Sequence, residues 1–136
     1  MYEEYIKTGK VVYIYRQFPL PFHRHAVPAS EASLCAADQG KFWPLHDRIY
    51  ETLEQWSGLN DARDHFKMLA GEVGLNTETF NECFDGRKKL EQVQADAKAA
   101  AEAGARGTPF FLVGKQALGG AQPFEAFQQA IEAQLP

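Results

Sequence analysis

Apolar residues recur along this chain with two different periods, and the places where the period changes outline its elements. Tyr2, Tyr5 and Ile6 share one side of a helical end that Gly9 stops. Val11-Val12-Tyr13-Ile14-Tyr15 follows, β-branched, aromatic and apolar on both faces, which predicts a strand inside a sheet rather than at its rim. Phe18-Pro19-Leu20-Pro21-Phe22 ends it, because prolines fix φ and remove ladder donors.

A long helical stretch comes next. His25 to Gln39 is alanine-rich, with Pro28 suited to its first turn and Gly40 as its stop. Phe42, Leu45, Ile49, Leu53 and Trp56 stand at helical spacing and predict one helix over Phe42 to Trp56, with Phe42, Trp43 and Trp56 in the core. Asn60 is placed to cap a helix carrying Phe66, Leu69, Ala70 and Val73, and Asn76 to cap a shorter one around Phe80, Cys83 and Phe84. Leu90, Val93, Ala97 and Ala101 define a further helix that Gly104 ends.

The period then shortens. Phe110-Phe111-Leu112-Val113 and Gln116-Ala117-Leu118 read as two short strands around Gly114, and Gly119-Gly120 turns the chain. Pro123 opens a last helix with Phe124, Phe127, Ile131 and Leu135 on its buried face. Strand, helices, two strands and helix predict an α/β fold with a helical block between strand elements. One domain over 1–136 fits the length, with the insertion at about 24–104.

Composition narrows the function. Hydrophobic residues make up 45% and charged residues 24%, ordinary values for a globular chain. The net charge is −4, and the one basic cluster, Arg87-Lys88-Lys89, reads as a solvated helix face, so nucleic acid is not an expected partner. No apolar run approaches the roughly 18 residues that span a bilayer, so no membrane partner is expected either. His23 and His25 lie two apart, His46 and His65 on different helices. None has ligand-spaced companions, so no metal is expected, and His23 and His25 read as partly exposed loop or cap residues.

Gly107-Thr108-Pro109-Phe110-Phe111 carries the most chemistry. A proline at the mouth of a strand costs a ladder hydrogen bond and calls for a reason, although an ordinary loop proline is the plain alternative. Four blocks occur here in order: Tyr13-Ile14-Tyr15-Arg16-Gln17-Phe18-Pro19-Leu20, Ala36-Ala37-Asp38-Gln39-Gly40-Lys41-Phe42-Trp43, Gly107-Thr108-Pro109, and Gly119-Gly120-Ala121-Gln122-Pro123-Phe124. Together they resemble the DsbA-like thioredoxin-fold disulfide oxidoreductases, essentially from Met1 to Pro136.

That resemblance implies a thioredoxin-like fold with an inserted helical subdomain. It places a cis-proline at Pro109, where it and Thr108 shape a groove for incoming peptide paired in β-fashion. It implies protein or peptide thiols as partners, no cofactor, and an extracytoplasmic, periplasmic location. It also exposes a gap. In the family a strand and a Cys-x-x-Cys helix precede the strand expected at Val11 to Tyr15, and the pair supplies the reactive thiolate. No Cys-x-x-Cys occurs here, so the N-terminal β/α part reads as incomplete, in a fragment or a chain with a misassigned start.

Cys35 and Cys83 are the only cysteines. Relatives carry cysteines at similar places that form a structural bridge between helices, and two buried free thiols are the alternative. Neither has a partner at short spacing, so neither is expected to be catalytic. The expectation is therefore an oxidoreductase-family chain that is inactive in disulfide exchange as it stands. The alternatives are a non-catalytic peptide-binding module of the same fold and a glutathione-using isomerase or transferase. With the central strand absent, Val11–Tyr15 and Phe110–Val113 are expected to pair directly or to complete their sheet across a homodimer.

Overall fold

The computed structural model describes residues 1–136, and its elements follow the changes of period. A π-helical turn at Tyr2–Ile6 comes first. Then come α1 (Ala26–Ala37), α2 (Phe42–Glu51), α3 (Leu53–Trp56), α4 (Arg63–Glu72), α5 (Thr77–Asp85) and α6 (Leu90–Glu102). The strands β1 (Phe110–Val113) and β2 (Gln116–Gly119) precede α7 (Phe124–Glu132). The chain divides into two compact units, Gln17–Ala97 and, separately, Met1–Arg16 with Lys98–Pro136. The helical unit thus starts and ends earlier than 24–104.

The helical unit is built round α1, in which every residue from Ser30 to Ala36 is buried. Alanine and serine suit that place, because short side chains let neighbouring helices approach on all sides. Leu45 and Ile49 of α2, Trp56 of α3, Phe66, Leu69 and Ala70 of α4, and Phe80 and Phe84 of α5 close over it. Trp56 meets Phe66 edge-on at 5.2 Å between ring centres, and its indole N–H donates to the Ile49 carbonyl at 2.8 Å. The buried indole therefore keeps a hydrogen bond.

Cys35 of α1 and Cys83 of α5 are joined by a disulfide inside this core, with Cα atoms 5.9 Å apart. Buried Glu31 is matched by Arg87, whose Nε and Nη2 each donate to a carboxylate oxygen at 3.1 Å. Arg87 reaches it from a left-handed backbone, φ +50°, in the turn between α5 and α6. The Arg87-Lys88-Lys89 cluster is thus a turn between helices. Lys89 is engaged too, donating to Asp38 at 2.7 Å.

Other local expectations shift for identifiable reasons. The helix expected over Phe42 to Trp56 breaks at Thr52, where Thr52 Oγ1 donates back to the Arg48 carbonyl at 2.8 Å. Asn60 does not cap α4. Asp61 Oδ1, one residue later, accepts from Arg63 N at 2.9 Å. Asn76 does cap α5, accepting from Thr79 N at 2.9 Å. Trp43 is 43% exposed rather than core, stacked edge-on against Phe42 at 4.9 Å. His25 is buried, its Nε2–H donating to the Leu59 carbonyl at 2.7 Å, while His23 is exposed against Phe22.

In the second unit, β1 and β2 form an antiparallel hairpin with Val113 opposite Gln116. Gly114 takes the first central turn position at φ +58°, as a type II′ hairpin turn requires. Phe111 packs edge-on against Phe127 of α7 at 4.8 Å, which fixes the hairpin to that helix. Phe127 and Ile131 are buried as expected, whereas Phe124 stays 37% exposed. The strand expected at Val11–Tyr15 does not form, and the sheet has two strands only, so direct pairing with Phe110–Val113 is also corrected. The segment is irregular, with Val12 83% and Ile14 66% exposed, because a strand exists only where a partner supplies its ladder bonds.

The disulfide closes a loop of 48 residues, which in the chain-entropy model stabilises by about 4 kcal/mol. Reduction, or a Cys35→Ala/Cys83→Ala double variant, is expected to lower the unfolding free energy in urea by up to that amount. Two thiols freely alkylated in the native, air-purified protein would contradict the bridge.

Candidate functional site

The site builds outward from the ladder of the hairpin. Phe110 lies opposite Gly119, and Gly120 N donates to the Pro109 carbonyl at 2.8 Å. That bond makes Phe110–Gly119 a non-hydrogen-bonded pair, so Phe111 and Val113 exchange ladder bonds with Leu118 and Gln116. The N–H and C=O groups of Phe110 and Leu112 therefore point away from β2, and the two-stranded sheet gives them no partner.

At the entrance to this edge lie the two residues singled out from the sequence. Thr108 and Pro109 are both exposed, and the peptide bond between them is cis. Proline has no N–H to offer β2. A cleft of about 360 Å³ opens here, lined by the loop before β1 and by the glycine turn after β2. Arg106 is its charged lining residue, and the sequence offered no motif that singled it out.

Cys35 and Cys83 are not brought to this cleft. They belong to the helical unit, are bonded to each other and are 1% and 8% exposed. A buried disulfide presents neither a thiolate nor an accessible sulfur to an incoming peptide. Their role is to staple α1 to α5. The histidines serve structure as well: His65 hydrogen-bonds Thr52 at 3.0 Å, and burial lowers its pKa so that the neutral ring is favoured.

A second cleft, of about 350 Å³, lies between the N-terminal turn and α7 in the same unit as β1. Tyr5 Oη donates to Glu132 Oε1 at 2.7 Å, and Gln128 Nε2 donates to the same oxygen at 3.1 Å. The bond from Tyr5, helped by that from Gln128, holds the Glu132 carboxyl below its ordinary value. The bond to Glu132, with burial, raises the Tyr5 phenol. Each group is thus driven away from neutral pH, the reverse of what acid–base catalysis needs. This pair is a latch between the first turn and the last helix.

Comparison with known proteins bears on the family and the fold. The thioredoxin family model matches residues 1–133. An Na(+)/H(+) antiporter NhaA of Herminiimonas arsenicoxydans is 33% identical over 84% of this chain and 18% of its own length. A Rickettsia typhi protein named as a protein-disulfide oxidoreductase is 26% identical over 82% of this chain and 41% of its own length. The chain therefore spans about a fifth and about two fifths of these curated relatives. The crystal structure of a thioredoxin-like oxidoreductase from Silicibacter pomeroyi DSS-3 superposes with a TM-score of 0.68 at 24% identity, over 88% of this chain and 65% of that one. This last likeness is one of fold.

The latch has a pH signature. Glu132, held below its ordinary value near 4.5, contributes stability that is complete above that pH and lost as pH falls through the folded value. Tyr5, raised above its ordinary value of 10, contributes stability complete below pH 10 and lost as pH rises through its folded value. The stability difference between the unsubstituted chain and Tyr5→Phe, read from denaturant midpoints, is expected to be largest from roughly pH 5 to 9 and to narrow at both extremes. A difference that stays constant down to pH 3 would count against the latch.

Proposed function

The chain belongs to the thioredoxin family, with a thioredoxin-like fold and a helical insertion, and we propose that it is the substrate-docking part of a DsbA-like thiol–disulfide oxidoreductase. The observation that carries this reading is the exposed Thr108–Pro109 pair, joined by a cis peptide bond and lining a cleft of about 360 Å³ at the mouth of β1. The exposed backbone beside a proline that has no N–H of its own suits β-fashion capture of a client peptide. The similarity to proteins named as protein-disulfide oxidoreductases supports the same chemistry.

Disulfide exchange needs a thiolate that attacks a disulfide sulfur in line and a second sulfur that leaves. These residues supply docking and not the nucleophile. No Cys-x-x-Cys occurs in the sequence, and the two cysteines present are bonded within the helical core. Backbone pairing at Thr108–Pro109 would hold a client in position, and a redox pair is the remaining requirement. In this division of labour the groove sets which peptides approach and the cysteine pair sets what happens to them.

A second reading, a peptide-binding module without redox chemistry, is favoured by the similarity to antiporters, which are named for ion exchange rather than for disulfide chemistry. In both readings the 136-residue chain is expected to reduce insulin no faster than the uncatalysed background, and peptide binding is expected to survive thiol blocking. Robust insulin reduction by this chain would refute the assignment of its cysteines to structure.

A further inference from the structure

The disulfide is one of several links between α1 and the region of α5. Glu31, Cys35 and Asp38, on α1 and its C-terminal cap, stand at i, i+4 and i+7 and so share one face of the helix. Each is joined to α5 or to the turn that follows it: Glu31 to Arg87, Cys35 to Cys83 and Asp38 to Lys89. We infer that the two ion pairs are positioning pairs for the bridge. They keep α1 docked while the disulfide is open, so that Cys35 and Cys83 open and close reversibly inside the folded helical unit. The bridge is then a redox-responsive latch, and the inference does not depend on the cleft at Pro109.

The geometry supplies what such a latch requires. Arg87 Nε and Nη2 each donate to a Glu31 oxygen at 3.1 Å, and Lys89 Nζ donates to Asp38 Oδ1 at 2.7 Å. Upstream of these anchors the turn folds back on the cysteine itself. Lys88 N donates to the Cys83 carbonyl and Arg87 N to the Phe84 carbonyl, both at 3.1 Å. A Cβ at Gly86 would come within 2.7 Å of the Glu82 carbonyl oxygen, so only glycine fits this close turn. With Arg87 and Lys89 held on α1, Cys83 stays opposite Cys35 whether or not the sulfurs are bonded. All of these residues lie within the unit Gln17–Ala97.

Opening needs an external dithiol, since the chain holds no further cysteine. One thiolate of the dithiol attacks a bridge sulfur, the Cys35–Cys83 bond breaks, and a mixed disulfide forms. The second thiolate of the reagent then displaces the protein sulfur. The reagent leaves as a cyclic disulfide, and two electrons and two protons remain on Cys35 and Cys83 as thiols. Closing is the reverse, with the oxidised dithiol as electron acceptor. Both cysteines are buried, so exchange passes through local opening of the turn. Bridge and ion pairs stabilise the same docked arrangement, and each therefore favours the other by an equal factor. The pairs raise the effective concentration of one thiol at the other, and with it the equilibrium constant for closure.

The test is a redox titration of the 136-residue chain at pH 7 without denaturant. Samples equilibrate in mixtures of reduced and oxidised dithiothreitol, are quenched in acid and alkylated, and the labelled fraction is read by mass spectrometry. The fully reduced chain is expected to keep its helical circular dichroism and a cooperative urea transition, and to reclose when oxidised dithiothreitol is restored. Glu31→Gln, which removes the buried charge at nearly constant shape, should lower the closure constant roughly fivefold. Asp38→Asn at the surface should lower it roughly twofold. Lys67→Gln breaks a pair with Asp85 that joins α4 to α5 and does not reach α1, so the closure constant should stay unchanged. A reduced chain that unfolds would overturn the proposal. So would closure constants that stay unchanged in both Glu31→Gln and Asp38→Asn, or an equal shift in Lys67→Gln. Should Glu31→Gln fail to fold, Asp38→Asn decides alone, since that carboxylate is 55% exposed and dispensable for the core.

Discussion

The helix α1 is buried without interruption from Ser30 to Ala36, and the helical unit follows from what such a helix demands. Neighbours on every side must come close, which explains the short side chains and allows the Cys35–Cys83 bridge to α5. Each polar group on the helix must find a partner away from water. Ser33 Oγ donates to the Ser30 carbonyl at 2.8 Å and accepts from Gln17 Nε2 at 3.0 Å, while Gln17 N donates to Asp96 of α6 at 3.1 Å. The start of the helical unit, α1 and α6 are thereby tied through one polar chain.

Glu31 shows how burial decides among the ion pairs. Lys7–Glu3 and Arg48–Glu51 lie at the surface, where solvent screening and side-chain entropy leave such pairs little net effect. Glu31 is fully buried while the Arg87 side chain is half exposed, so solvent screens part of what the pair contributes. Arg87 holds both bonds to Glu31 from a left-handed backbone, in the turn between α5 and α6.

The hairpin follows a different logic. One edge of β1 is satisfied by β2, and the strand closes the ββα element beside Thr108 and Pro109. Packing of Phe111 on Phe127 fixes the strand to α7. The cysteines, by contrast, are spent on the stability of the helical unit. The cleft at Thr108 and Pro109 and the buried bridge belong to different units.

What the sequence determined by itself was local. Asn76 caps α5 because its side chain reaches an amide three residues on, and Gly9, Gly40, Gly74 and Gly104 adopt positive φ where helical runs stop. The period change at Phe110 and the order of the closing elements were legible for the same reason: each depends on residues a few positions apart. The failures came where competing local options differ by little, as with Asn60 against Asp61, or where a distant partner decides. Val11–Tyr15 has the composition of a strand and lies outside the two-stranded sheet. Arg87 turns on Glu31, which lies 56 residues away. The cleft needed the tertiary structure as well, because only the hairpin brings Gly119 and Gly120 beside the loop from Gly104 to Pro109. Sequence patterns report which conformations a segment can adopt, whereas hydrogen-bond partners and burial, supplied by residues far along the chain, select among them.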